Sequence, residues 1–539
     1  MSRGSQTRGL AHANNRGPGR RLAALGGTAL VVVTSLAGCM VGPDYRKPDL
    51  QVPTGFKEGV EFQRAEANPQ AAIASTWWRM YGDDKLNGLV EQSLQANQSI
   101  AAAEAAYRVA QATVQAERAT LFPTVTAGLQ GERYGGNAAA LEGAGSSSTT
   151  TIPATNSVLA SASVSWELDL WGEFRREVQE ARASAQATDA QLAGERISIA
   201  ASVVTDYFDL RQADYDIHAL KQQQDIDNHI LSMVQTAFKE GEATNDDVLN
   251  ATATLEEVIV DLQSTETSRE QYEHAIAVLV GVPPASFDLP PDPDYHFVSP
   301  AVPTGLPSEL LERRYDVVSA ERTAASANAS IGAAEAAFFP TLTLSAEGGY
   351  GHNAFANLFS LPNRFWTLGP DLAGTLFDGG ARSAAVAKAR ATYDEDVATY
   401  RNTVLTAFQN VEDSLSSVNH LRAQESAYSK VLDSDSRLFA SEQAQFDAGA
   451  VSQQSLLTEQ LTLIQAQESL RDTQALLAES NVTLVKNLGG GWQGEDAKAA
   501  ASSTPASAPG AASAAAPAAS TASPPSDQPI RTAAGQPAN

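Results

Sequence analysis

The sequence predicts a mainly α protein with a membrane β-barrel portion and an internal two-fold repeat. Three observations carry that expectation. The chain resembles itself at one long offset, each half holds a proline-free stretch too long for a compact core, and each half holds segments of strict period two.

The repeat is fixed by glycines. Gly172 and Gly380, Gly241 and Gly449, and Gly281 and Gly489 are each 208 residues apart in similar contexts, which implies a duplication. Phe122-Pro123-Thr124 and Phe339-Pro340-Thr341 also match, at an offset of 217. The nine extra residues of the first half fall where the Gly/Ser/Thr-rich stretch Gly135 to Asn156 lies, so an exposed loop is expected there.

In chain order, the first element is a leader. Arg3, Arg8, Arg16, Arg20 and Arg21 precede the apolar run Leu22 to Ala37, which closes on Leu36-Ala37-Gly38-Cys39. Small residues before the chain's one cysteine read as a lipobox: cleavage after Gly38 and lipidation of Cys39 are expected, with residues 1–38 the signal peptide. One thiol also rules out a disulfide framework. An N-terminal extension over 39–83 follows, and a helical piece from Asp84 to Ala119 leads to the first strands.

From Val158 to Leu168 the even positions are apolar and the odd ones after Leu159 are Ser161, Ser163, Ser165 and Glu167, and the same alternation returns after Pro340. Strands are expected at about 124–133, 157–168, 341–350 and 365–377, each near the length that crosses a bilayer when tilted. A soluble sandwich would alternate too. The aromatics at the strand ends (Phe122, Tyr134, Trp166, Trp171, Phe339, Tyr350, Trp366 and Phe377) and the lipid anchor favour a membrane barrel.

Phe174 to Ala237 and Ala381 to Gln445 lack proline and are rich in Ala, Gln, Glu and Arg. Each would make a helix of roughly 95 Å, which must lie against other helices. Gly241 and Gly449 mark hairpin tips, with Thr244 and Ser452 as N-caps of the returning helices. The boundaries that follow are a first repeat over 84–282, a Pro-rich linker over 283–307, a helical piece Ser308 to Ala337 opening a second repeat over 308–492, and an Ala/Pro/Ser tail over 493–539, which is too poor in large apolar residues to bury a core.

Four strands leave open edges that a bilayer cannot satisfy, so several copies must share one barrel. The chemistry is otherwise sparse. A net charge of -26 excludes nucleic acid as a partner. The seven histidines are scattered, Gly489-Gly490-Gly491 has no following Lys-Ser/Thr, and no catalytic cluster is visible, so no enzyme activity, cofactor or metal is expected.

Five segments in order resemble a known family: Cys39-Met-Val-Gly-Pro-Asp-Tyr45-Arg-Lys-Pro48, Trp77-Trp78-Arg-Met-Tyr-Gly82-Asp83, Leu306-Pro307-Ser-Glu-Leu-Leu-Glu-Arg313-Arg314, Ala336-Ala-Phe-Phe-Pro340 and Phe377-Asp378-Gly379-Gly380. They are similar to outer-membrane efflux lipoproteins of the NodT and OprM type, in the TolC superfamily, across about residues 39–492. Tyr315 stands where the family usually has a proline that opens a helix. The resemblance implies a homotrimer with twelve strands in one shared barrel and a long periplasmic helical barrel, lipid-anchored in the cell outer membrane. Its partners would be a periplasmic adaptor, an inner-membrane transporter of the resistance-nodulation-division type, and outer-membrane lipid. Gly241, Thr244, Gly449 and Ser452 would be the adaptor-contact tips. Some members narrow the periplasmic entrance with aspartates on the second hairpin; here those places hold Ser455 and Thr458, while the first hairpin carries Asp246 and Asp247. Entrance closure by helix packing is therefore expected. The function implied is a passive exit duct for small molecules in a tripartite efflux system. The alternatives are the exit channel of a type I protein secretion system and a structural coiled-coil lipoprotein.

Overall fold

The computed structural model describes residues 40–58, 75–137, 151–302 and 313–491. Cys39, the leader, the centre of the Gly/Ser/Thr-rich stretch, the Leu306 to Glu312 part of the third family segment and the 493–539 tail lie outside the described residues. No described helix is long and apolar enough to cross a membrane.

The expected helix from Asp84 to Ala119 is two: α1 (Asp84–Ala96) and α2 (Gln98–Ala119). Asn97 breaks it, because its Oδ1 accepts from the backbone N–H of Ser99 and Ile100 while its Nδ2 donates to the Leu279 carbonyl. A side chain that caps the next helix competes with continuation of the previous one. β1 (Thr124–Asn137) and β2 (Thr151–Leu168) follow, then α3 (Glu173–Glu240), α4 (Asn245–Leu279), α5 (Tyr315–Ala336), β3 (Thr341–His352), β4 (Arg364–Ala373), α6 (Ala381–Asp447) and α7 (Gln453–Asn487). Tyr315 does open α5. Gly194 on α3 makes room for its ring, since a Cβ there would lie 2.3 Å from a Tyr315 ring carbon.

The strands form one antiparallel sheet in the order β1-β2-β3-β4. Their limits differ from the sequence pattern for backbone reasons. β1 and β2 pair as far as Asn137 and Thr151, beyond the apolar alternation and into the stretch expected to be loop, because a ladder needs only main-chain groups. β4 ends at Ala373, not at 377. Its last partner is Thr341, and the preceding Pro340 has no N–H to continue the ladder.

α3 has 68 residues and α6 has 67, each about 100 Å long at 1.5 Å per residue. α4 and α7 fold back along them. The main core lies along α3, where Tyr207, Phe208 and Leu210 meet Leu86, Val90, Ile276, Leu415 and Leu484. The 3₁₀ turn Trp77–Tyr81 buries both tryptophans into the same cluster.

Two irregular segments are tied down. The Pro-rich linker is docked, not loose. Arg211 donates to the Pro290 carbonyl and Arg269 to that of Leu289, and the N–H groups of Leu289 and Asp292 donate to Glu273 and Asp214. Asp214 joins both arginines at 2.8 Å with its side chain fully buried. Residues 40–58 form a strap. Arg176 donates to the carbonyls of Val41 and Gly42, Asn328 to that of Pro43, and Tyr45 Oη to Glu321. At the other end Glu412 accepts the N–H groups of Lys57 and Glu58.

Candidate functional site: the two-faced sheet and the helix tips

Registers across the sheet sort its side chains, since antiparallel partners share a face. One face holds the rows Leu168-Leu342-Leu372, Trp166-Leu344-Pro370, Val125-Val164-Ala346-Leu368, Ala127-Ala162-Gly348-Trp366 and Leu129-Ala160-Tyr350. The other holds Thr126, Ser161, Ser163, Ser165, Thr343, Ser345 and Thr367, with Glu132, Glu167, Glu347 and Asp371 as its carboxylates. Leu159, Phe365 and Ala373 are among its apolar exceptions, and Tyr134 also lies on this polar face. The apolar face is exposed: Val125, Leu129, Trp366, Leu368 and Leu372 are each more than 60% accessible. Four strands bearing a continuous apolar face outward and a polar one inward match the wall of a water-filled membrane barrel.

Aromatic anchors mark the end of the sheet that meets the helices. Trp171 stacks on Phe339 at 4.6 Å and its Nε1 donates to the Pro340 carbonyl at 2.8 Å, while Trp166 Nε1 donates to that of Leu121. Phe377 lies beyond β4 and is exposed. Below it Asp378 accepts from the N–H groups of Gly380 and Arg382 and from the Arg382 guanidinium. The guanidinium, with those two N–H groups, holds its carboxyl down at about 2. This last family segment therefore fastens the start of α6.

At the far ends of the long helices lie the two tips. Gly241 and Gly449 have φ of 81° and 71°, the left-handed region that glycine enters without strain. Thr244 and Asp247 form a reciprocal capping box: Asp247 Oδ2 accepts from the Thr244 N–H and Oγ1, both at 2.7 Å, and the Asp247 N–H donates to Thr244 Oγ1. Those bonds hold the Asp247 carboxyl below the usual range. Its charge is thus spent on the helix start. Asp246 beside it is exposed. On the second hairpin Ser452 Oγ accepts from the Ser455 N–H, Ser455 Oγ donates to Glu442 at 2.5 Å, and Thr458 Oγ1 donates to the Gln454 carbonyl. Both residues point their hydroxyls into their own hairpin.

No group of three or more His, Cys, Asp or Glu among the described residues is arranged to hold a metal ion. Acids do gather between α3 and α7. Burial, with Asp472 nearby, pushes both Asp216 and Glu468 up to about 7, and Gln212 and Gln223 bond them. Sequence reading missed this cluster, because acids on a long helix look like a solvated face until its neighbour is placed.

The sequence profile of the family described as "Outer membrane efflux protein" matches residues 89–282 and 306–490. The chain is 31% identical over 441 residues to "Pyoverdine export outer membrane protein OpmQ" of Pseudomonas aeruginosa PAO1, covering 80% of this chain and 90% of that protein. It is 29% identical to "Probable efflux pump outer membrane protein TtgC" of Pseudomonas putida KT2440, covering 86% and 95%. Among solved structures, the outer-membrane channel OprN matches with a TM-score of 0.74 at 26% identity, over 84% of this chain and all of that one. A two-faced sheet joined to paired long helices, a profile spanning both repeats and relatives aligned along nearly their whole length agree: the chain belongs to the outer membrane efflux protein family, with the TolC-like fold.

Proposed function

We propose that three copies of this chain close one twelve-stranded barrel in the outer membrane and form the passive exit duct of a tripartite efflux system. The two-faced open sheet carries this reading. β1 and β4 are its edges, and a bilayer leaves no water for unpaired strand groups, so each edge must meet a neighbouring copy. The helices extend the lumen into the periplasm. The family is one of channels, and the work is done by an adaptor and an inner-membrane pump; a pump of the resistance-nodulation-division type is our reading. Cys39 would carry the lipid anchor. Met40 and Val41 support this, because they lie against Gly172 and Trp171 at the junction of sheet and helices.

The tips around Gly241, Thr244, Gly449 and Ser452 would meet the adaptor. With Asp247 in its capping box, Ser455 and Thr458 bonded within their hairpin and no aspartate at either of those two second-hairpin places, the entrance would close by helix packing. The cargo would be small molecules: one relative is named for pyoverdine export and another for an efflux pump. A protein-secretion exit would use the same tube, and an adjacent ABC exporter gene would favour it. The test is conductance of the purified protein in planar bilayers, with native mass spectrometry for the copy number. Trimers that open channels are expected. A stable monomer with full strand content, or no channel at any voltage, would reject the duct.

A further inference from the structure

The four strands contain three basic side chains, Arg133, His352 and Arg364, and every one lies on the apolar face. All four carboxylates of the strands lie on the opposite face. Sidedness of charge is therefore complete, and it runs against solubility: a cation on a lipid-facing surface has a use only where that surface leaves the hydrocarbon.

Depth places the bases there. The apolar rows begin at Leu168-Leu342-Leu372 and end at the row of Val158, Gly131 and His352. Ten residues along a strand span about 33 Å, or about 25 Å across the bilayer at a tilt of about 40°, the height of the apolar band of such barrels. Arg364 is in the row of Leu129, Ala160 and Tyr350, His352 one row further out, and Arg133 one row beyond that, opposite Asn156. They occupy the outer margin of the band, Arg364 level with Tyr350 and above Trp366, His352 and Arg133 beyond both, with Phe359 packed on Tyr350 at 5.5 Å. Among the described residues neither arginine has a carboxylate within 4.0 Å. The loop N–H of Ala354 donates to His352 Nδ1, which leaves Nε2 for another partner.

We propose that this rim binds the phosphate groups of phosphorylated lipid in the outer leaflet through Arg133, His352 and Arg364. Guanidinium forks match phosphate oxygens in pairs. A soluble anion would gain nothing from the apolar rows directly beneath, whereas a lipid fills them with its acyl chains while its phosphates meet the bases. Barrel closure strengthens the site, since the β4 edge with Arg364 then pairs with β1 of a neighbouring copy, the strand that bears Arg133.

The proposal rests on the apolar face being lipid-facing, and the experiment separates the two. Native mass spectrometry of the full-length protein in detergent is titrated with bisphosphorylated lipid A, with the same lipid A after removal of its phosphates, and with inorganic phosphate. The channel conductance of each variant is recorded in parallel. Each basic residue near an anionic lipid surface contributes about five-fold in binding, so Arg133→Gln with Arg364→Gln should weaken bisphosphorylated lipid A by about 25-fold and leave conductance unchanged. Dephosphorylated lipid A should bind the wild type at least as weakly as the intact lipid binds the double variant, which keeps His352. Equal binding of both lipids, unchanged binding by a conducting double variant, or displacement of the lipid by inorganic phosphate would overturn the proposal. Wild type that neither inserts nor conducts would instead bring down the lipid-facing reading of the sheet.

Discussion

Ala162 and Ser163 are adjacent on β2 and stand at the same depth, yet the register turns them to opposite faces. Ala162 sits between Ala127 and Gly348 on the apolar side. Ser163 shares a 2.7 Å hydroxyl bond with Thr126 on the polar side. Both are about five residues from either end of the apolar rows, hence roughly 12 Å from each edge of the hydrocarbon. Arginine at Ala162 would put a guanidinium at the midplane, at about 2–4 kcal/mol per chain, or about 6–12 kcal/mol in a trimer. Arginine at Ser163 would meet lumen water and lose one exposed hydroxyl bond, about 1 kcal/mol or less. The assay is the fraction of trimer surviving a heating series on semi-native gels after reconstitution into liposomes. Ala162→Arg should abolish or sharply destabilise the trimer, and Ser163→Arg should keep it and lower the single-channel current. Equal loss in both variants, or loss in Ser163→Arg alone, would refute the assignment of the faces.

Other outcomes follow from local geometry. Asp214→Ala leaves the fully buried Arg211 without its carboxylate and should cost about 3–5 kcal/mol, with protease cleavage appearing in the 283–302 segment. Glu91→Gln, at an exposed pair, should cost under about 1 kcal/mol in the same denaturation assay. A Cβ at Gly241 or Gly449 meets nothing within 4 Å, so Gly241→Val and Gly449→Val should introduce about 1–2 kcal/mol of backbone strain. Adaptor pull-down should fall while the melting of the trimer stays put. Glu468 ionises near 4.5 when unexposed to the fold and near 7 within it, so the folded chain keeps a proton that the unfolded chain has lost, and stability falls as pH rises between those values. Glu468→Gln should therefore melt higher than wild type at pH 8 and converge with it at pH 4. Divalent cations should block the current weakly; strong block at micromolar concentration, removed by neutralising Asp246 and Asp247, would show that the first hairpin supplies a carboxylate ring.

Periodicity made much of this legible. Ser161, Ser163 and Ser165 alternating with Ala162, Val164 and Trp166 announce a strand with two different faces. Glycine before Thr244 and before Ser452 announces two tips, because the left-handed turn and the cap are local events written in adjacent residues. What the sequence hides is register and neighbourhood. Arg133 and Arg364 look like ordinary strand-end charges until pairing puts both on the apolar side. Asp214 looks like a solvated helix acid until Arg269 and the linker close over it. The fourth strand looks longer than it is, since the limit at Ala373 is set by Pro340, just before the strand it pairs with.

The strap of residues 40–58 is gripped mostly by its main chain. Arg176, Asn328, Glu412 and Asn419 all reach its carbonyl or N–H groups, while the side chains of Asp44 and Tyr45 reach back to Arg176 and Glu321. At Gly42, with φ of 91°, a Cβ would fall 2.4 Å from the Gly332 Cα, so that one crossing admits no side chain. Elsewhere Leu50 and Phe56 pack into apolar clusters, and the exposed positions between these anchors are free. Such a clamp lets exposed letters such as Arg46, Lys47, Gln51 and Thr54 drift during evolution, or be rewritten by an engineer to carry a fluorophore or an epitope, while Gly42, Tyr45, Leu50 and Phe56 keep the strap's hold on both repeats.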